Sequence, residues 1–157
     1  MNHFSAQSLQ SYIDQMPFTK PFGFKVAEAK RGWVHVTLEP QEKLFNHFGT
    51  YQAGVLCTLS EITGGVLCGT FHDIFENFLI TKQTQVKFER ATSLTLIAEA
   101  SLSEPAIDQI LADLQRQKKT DVEVDILIRT RESEIIAKSK GLYYLRVGYP
   151  TKFHPAR

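Results

Sequence analysis

The chain has 157 residues, 43% hydrophobic and 22% charged, which suits one globular domain with its own core and leaves little for a second. Its 18 Lys and Arg stand against 17 Asp and Glu, for a formal net charge of +1. That balance supplies no general field for nucleic acid or an anionic membrane, so neither partner is expected. Cys57 and Cys68 fall eleven residues apart on one predicted helix. At about 16 Å along the axis they cannot bridge each other, and a reducing, cytoplasmic setting is expected. The start, MNHFSAQSLQ, lacks the basic and apolar regions of a signal peptide, and no apolar run is long enough for a membrane span.

In chain order, residues 5–16 place Leu9, Tyr12, Ile13 and Met16 at helical spacing behind a Ser5 cap, and Pro17 ends that helix within an N-terminal segment 1–21. Residues 22–30 and 33–38 read as a hairpin turning at Arg31-Gly32. A polar loop, 40–50, then delivers the chain to a long helix running from Gln52 to about residue 70. Residues 78–89 alternate Phe78, Ile80, Lys82, Thr84, Val86 and Phe88 as one face of a half-exposed strand, and 94–102 follow as another. Residues 103–119 form an inserted surface helix capped by Ser103. Strands 121–130 and 135–147 close a hairpin, and 148–157 is an irregular tail of the single domain.

The long helix carries almost no charge and is apolar on most sides, which predicts burial. One carboxylate, Glu61, interrupts it, on a stripe of small residues formed by Gly54, Thr58, Glu61, Gly65 and Gly69. A carboxylate in an apolar setting is paired, shifted in pKa, or used. The bland account is a satisfied acid at a helix or subunit contact. For Asn46 the bland account is a loop residue bonding its own backbone.

This order of elements, together with Asn46 fifteen positions before Glu61, the Gln52-Ala53-Gly54 step and the acid seven positions after Gly54, resembles the hotdog-fold acyl-CoA thioesterases. The branch it is most similar to is that of the phenylacetate-pathway thioesterase, and Val86-Lys87-Phe88-Glu89-Arg90-Ala91 adds a weaker likeness. The resemblance implies an α+β chain whose antiparallel sheet of about six strands wraps one long buried helix. It implies sites at the interface of a homodimer, with pairing into a dimer of dimers open, and no cofactor beyond coenzyme A as part of the substrate. Hydrolysis of an acyl-CoA or other acyl thioester to free acid and thiol is the implied activity.

By that resemblance Glu61 acts as general base or nucleophile, and Asn46 holds the carbonyl or the water. The amides of Ala53 and Gly54, unsatisfied at a helix N-terminus, suit a developing oxyanion. His47, Thr58 and Gly65 are expected to contact substrate, as are Lys87 and Arg90, which could meet coenzyme A phosphates together with Lys82, Arg116, Lys118 and Lys119. Departures are present: Gln52-Ala53 replaces His-Gly, Glu61 replaces Asp, Gly65 replaces a hydroxyl residue, and Ala91-Thr92-Ser93 stands where a glycine is usual. Two alternatives remain. His47 lies fourteen positions before Glu61, which resembles the 3-hydroxyacyl-thioester dehydratases, although their loop prolines and Pro-Gly step are missing. A non-catalytic acyl-thioester binder is the other, with Gly65 in its favour. The histidines show no metal-ligand spacing, so no metal is expected, and Cys57 reads as a small core residue. The acyl group, and coenzyme A against a carrier protein, stay open.

Overall fold

The computed structural model describes residues 5–149. The histidines His3 and His154, and the tail from residue 150, lie outside them. Helix α1 spans Ala6–Asp14, and the Ser5 hydroxyl accepts from the Ser8 amide at 3.1 Å as its cap. The first strand is shorter than its apolar pattern suggests: Lys20–Phe22 form a 3₁₀ turn around Pro21, ended by Gly23 at φ 74°, so β1 begins only at Lys25 (Lys25–Lys30). Strand β2 is Trp33–Leu38, and helix α2 is Ala53–Cys68. Then come β3 (Phe78–Phe88), β4 (Leu96–Ser101), α3 (Glu104–Gln117), β5 (Lys119–Arg129) and β6 (Ile135–Arg146). The inserted helix stops two residues early because Lys118 turns left-handed at φ 63°, which frees Lys119 to start β5.

All pairings are antiparallel, in the order β1-β2-β4-β5-β6-β3, and α2 packs against β2, β3, β4, β5 and β6. This is the hotdog arrangement, one helix wrapped by a curved sheet. Val34, Val36, Leu96, Ala98, Val124, Ile126, Ile128, Tyr143 and Leu145 face the helix, and Leu59, Val66 and Leu67 meet them.

One alternation is broken. Strand β3 carries a bulge between Thr81 and Gln83, so Ile80 pairs with Tyr144 while Thr84 pairs with Gly141. Those partners lie three apart on β6, hence on opposite faces. The single face expected for Phe78 through Phe88 is therefore two half-faces, and Lys82, the extra residue, reaches solvent to pair with Asp121 at 2.7 Å.

The depth of α2 is set by Tyr143, a fully buried residue whose hydroxyl donates to the Glu61 carbonyl at 2.9 Å and lies 3.4 Å from that of Ser60. Its ring occupies the space that a Cβ would need at Gly64 and at Gly141. Beyond α2, His72 is 4% exposed, with Nε2 lacking a hydrogen-bond partner among the described residues. Burial lowers its pKa, outweighing the raising influences of the Phe78 carbonyl and Asp73.

Two predictions follow from this packing. Gly64→Ala forces a methyl into the Tyr143 ring and should destabilise by about 1–3 kcal/mol, more than the roughly 0.5–1 kcal/mol that alanine returns in a helix. At the adjacent Gly65 the nearest atom to an added Cβ is Leu79 Cδ2 at 3.8 Å, so Gly65→Ala should stabilise by that same helix gain. Opposite shifts in denaturant midpoint check the pair; shifts of one sign refute it. For His72, the unfolded chain takes up a proton near pH 6.5 and the folded chain resists it. Stability should hold at neutral pH and fall as pH drops towards about 5, measured by urea midpoint, with a flatter profile in His72→Gln.

Candidate active site

Only five residues of α2 escape burial: Ala53, Gly54, Cys57, Glu61 and Gly65. From Gly54 the steps are three, four and four, so they form one solvent-facing stripe on an otherwise enclosed helix. Two residues expected on that stripe do not share it. Thr58 is buried and its hydroxyl donates to the Gly54 carbonyl at 2.8 Å, while Gly69 is closed off by Leu9, whose Cδ2 would stand 2.6 Å from an added Cβ. Cys57 takes the place of Thr58. A step of three in place of four from Gly54 is the only sequence signal that would have found it. Burial raises the Cys57 thiol above its ordinary pKa, which keeps it protonated and a poor nucleophile.

Glu61 stands at a groove between α1, α2 and β3, walled by Tyr12, Met16, Ile62, Val66 and Leu79, with Gly65 on its floor. Among the described residues its carboxylate has no hydrogen bond or ion pair. A half-buried carboxylate on an apolar wall with no partner is the electrostatic oddity of the molecule. Tyr12, Met16 and Leu79 were not singled out for this role in the sequence, because three separate elements bring them together.

A second, open depression lies at the start of α2, bordered by Asn46, Tyr51, Ala53, Phe88 and Arg90. Asn46 is occupied with its own loop: Oδ1 accepts from the amides of Phe48 at 2.9 Å and Thr50 at 3.3 Å, and Nδ2 donates to Thr50 Oγ1 at 3.0 Å. His47 is exposed and packs against Phe48 with ring centroids 3.9 Å apart and the planes tilted by 41°. Lys87 pairs with Glu89 at 3.2 Å and Arg90 with Glu134 at 3.0 Å, exposed bridges that contribute little and exchange readily. Arg90 neighbours Ile136 at the start of β6, whereas Lys119 pairs with Arg146 at its far end. The cations expected to meet one set of phosphates thus divide between two ends of a strand about 35 Å long.

The two depressions share a helix face yet are not one site within the chain. Gly54 and Glu61 are seven residues apart, about 10 Å of helix, so no single carbonyl group reaches both the Ala53 and Gly54 amides and the Glu61 carboxylate. Among the described residues no cluster of potential metal ligands occurs, and no helix is long and apolar enough to cross a membrane.

A family described as Domain of unknown function (DUF4442) matches residues 6–143. No curated protein matches the chain. Among solved structures, a Pseudomonas aeruginosa protein described as of unknown function and a probable thioesterase superposes with TM-score 0.79 at 25% identity, covering 92% of this chain and 98% of its own. The PaaI protein of the E. coli phenylacetic acid degradation operon gives 0.68 at 16%, covering 90% and 92%. A hypothetical thioesterase of Streptococcus pneumoniae, solved with coenzyme A, gives 0.62 at 16%, covering 84% and 99%. The latter two share the fold.

The bonds of Asn46 lead to a separable expectation. Asn46→Ala strips the Phe48 and Thr50 amides of their acceptor and should cost about 1–3 kcal/mol of local protection, read by hydrogen exchange. Asn46→Asp keeps the acceptor and should retain that protection. Equal loss in both would refute the loop role.

Proposed function

The chain belongs to the family described as Domain of unknown function (DUF4442) and has the hotdog fold, and on that premise we propose that it hydrolyses an acyl thioester, with acyl-CoA as the substrate class. The observation that carries the reading is Glu61, a carboxylate with no partner among the described residues, at the rim of an apolar groove. Thioester hydrolysis needs an activated water or nucleophile, a donor to the oxyanion, and an apolar slot for the acyl group. Glu61 supplies the first by drawing a proton from water or by attacking the carbonyl itself. The first-turn amides of Ala53 and Gly54, exposed at the positive end of α2, supply the second. The groove beside Glu61 supplies the third.

Because amides and carboxylate lie too far apart within one chain, the working site pairs Glu61 of one copy with the α2 start of another. A homodimer is therefore part of the proposal. Coenzyme A fits the exposed Lys87 and Arg90, whose surface bridges are readily exchanged for phosphates. The solved structures named as thioesterases, one of them with coenzyme A, support this assignment.

Complementation tests both halves. Glu61→Gln should remove thiol release from acyl-CoA while leaving the melting temperature near wild type. Ala53→Pro deletes one first-turn amide where proline is tolerated, since Gln52 already sits at ψ 138°, and should slow turnover about 10²–10³-fold. Mixed and reassociated, the two variants should recover roughly a quarter of wild-type turnover, because half the dimers then hold one intact site of two. Wild-type turnover in Glu61→Gln would sink the hydrolase reading. Absence of recovery on mixing would sink the shared site.

A further inference from the structure

The groove beside Glu61 is small and one of its walls is fixed in place. Its volume is about 160 Å³. An apolar protein cavity of about 150 Å³ accommodates one benzene molecule, so this groove holds about six carbon atoms. One of its walls comes from α1, a helix outside the sheet-and-helix core. Gln10 fastens that helix to the edge strand: its Oε1 accepts from the Val26 amide at 2.7 Å and its Nε2 donates to the Phe24 carbonyl at 3.1 Å. Leu9, fully buried, locks against Gly69, where a methyl would collide with it. These contacts hold Tyr12 and Met16 over the groove.

Tyr12 marks one end of it. Its ring packs edge-on against Phe75, 5.5 Å between centroids at 81°, and Phe75 belongs to the turn beyond the C-terminus of α2, away from Glu61. Along the floor, Gly65 contributes space that any side chain would fill, since only Leu79 Cδ2 lies within 4 Å of its missing Cβ.

We infer that α1 is the chain-length gauge of this protein: the substrate's acyl group is compact and apolar, about six carbons beyond the thioester carbonyl, and Tyr12 sets its limit. The inference rests on the reading of Glu61 as the group that meets the thioester. A methylene that a pocket does not fit is worth on the order of tenfold or more in discrimination, so long fatty acyl groups are excluded while α1 stays docked.

The test is a series of straight-chain acyl-CoA substrates from butanoyl to palmitoyl, followed by thiol release in the intact protein and by calorimetric binding to Glu61→Gln. Turnover efficiency and affinity should peak near hexanoyl and octanoyl and fall at least tenfold for palmitoyl. Tyr12→Ala should move the optimum to longer chains. Gly65→Leu, which fills the floor, should move it to shorter ones and decides the matter if Tyr12→Ala fails to fold. A flat profile, or an optimum that neither variant moves, overturns the gauge while leaving hydrolysis intact. If no thiol is released but binding shows the same optimum and shifts, the gauge stands and the hydrolase reading falls. Hexanoyl-CoA that neither binds nor turns over removes both.

Discussion

Tyr143 reaches from the concave face of the sheet to the middle of α2, where its hydroxyl bonds the carbonyl of Glu61. A phenol buried that deeply must find an acceptor, and the nearest ones belong to the turn that carries the acid. The ring is admitted by an absence of side chains on both sides, Gly64 on the helix and Gly141 on its own strand. With Tyr143 seated, the helix can neither rotate nor lift from the sheet without losing a buried hydrogen bond and opening a void. That contact, together with the buried Leu59, Val66 and Leu67, fixes the rotation of α2 and with it the side of the molecule on which Glu61 emerges.

That rotation leaves one narrow stripe of the helix in solvent, and its composition explains why it can. Gly54, Cys57 and Gly65 present little apolar area, so leaving them exposed costs little hydrophobic stabilisation. A carboxylate in the same row gains hydration that it would lose anywhere else on α2. The groove beside it is apolar because α1 and β3 present their core-facing residues to a gap that no residue of the described chain fills. A half-exposed carboxylate bordering an apolar groove thus follows from the packing of the core.

The free edge of the sheet is consistent with a paired assembly. Strand β3 lies at one margin over eleven residues, and Ile80 and Phe88 are exposed on it. Long edges carrying apolar side chains invite pairing unless something blunts them. The bulge at Thr81 and Gln83 turns this edge midway, so its two halves show different faces. The opposite margin, β1, is short, charged and irregular at Val26 and Glu28, features that discourage strand addition.

Order and kind of elements were legible in the chain itself, because they follow from local rules: helical spacing behind the Ser5 and Ser103 caps, alternation in β5 and β6, and a helix too apolar to lie on a surface. The solitary acid was legible for the same reason, as the one costly residue in that helix. Tertiary structure alone decided which neighbours share its stripe, since a helix with apolar residues nearly all round carries no periodic signal for its own rotation, and Tyr143, eighty-two residues away, helps to set it. It alone decided the split face of β3, because one inserted residue is invisible until its partner strand is known. And it alone joined Tyr12, Gly65 and Leu79 around one groove, because residues so far apart in the chain become neighbours only when packing brings three elements together.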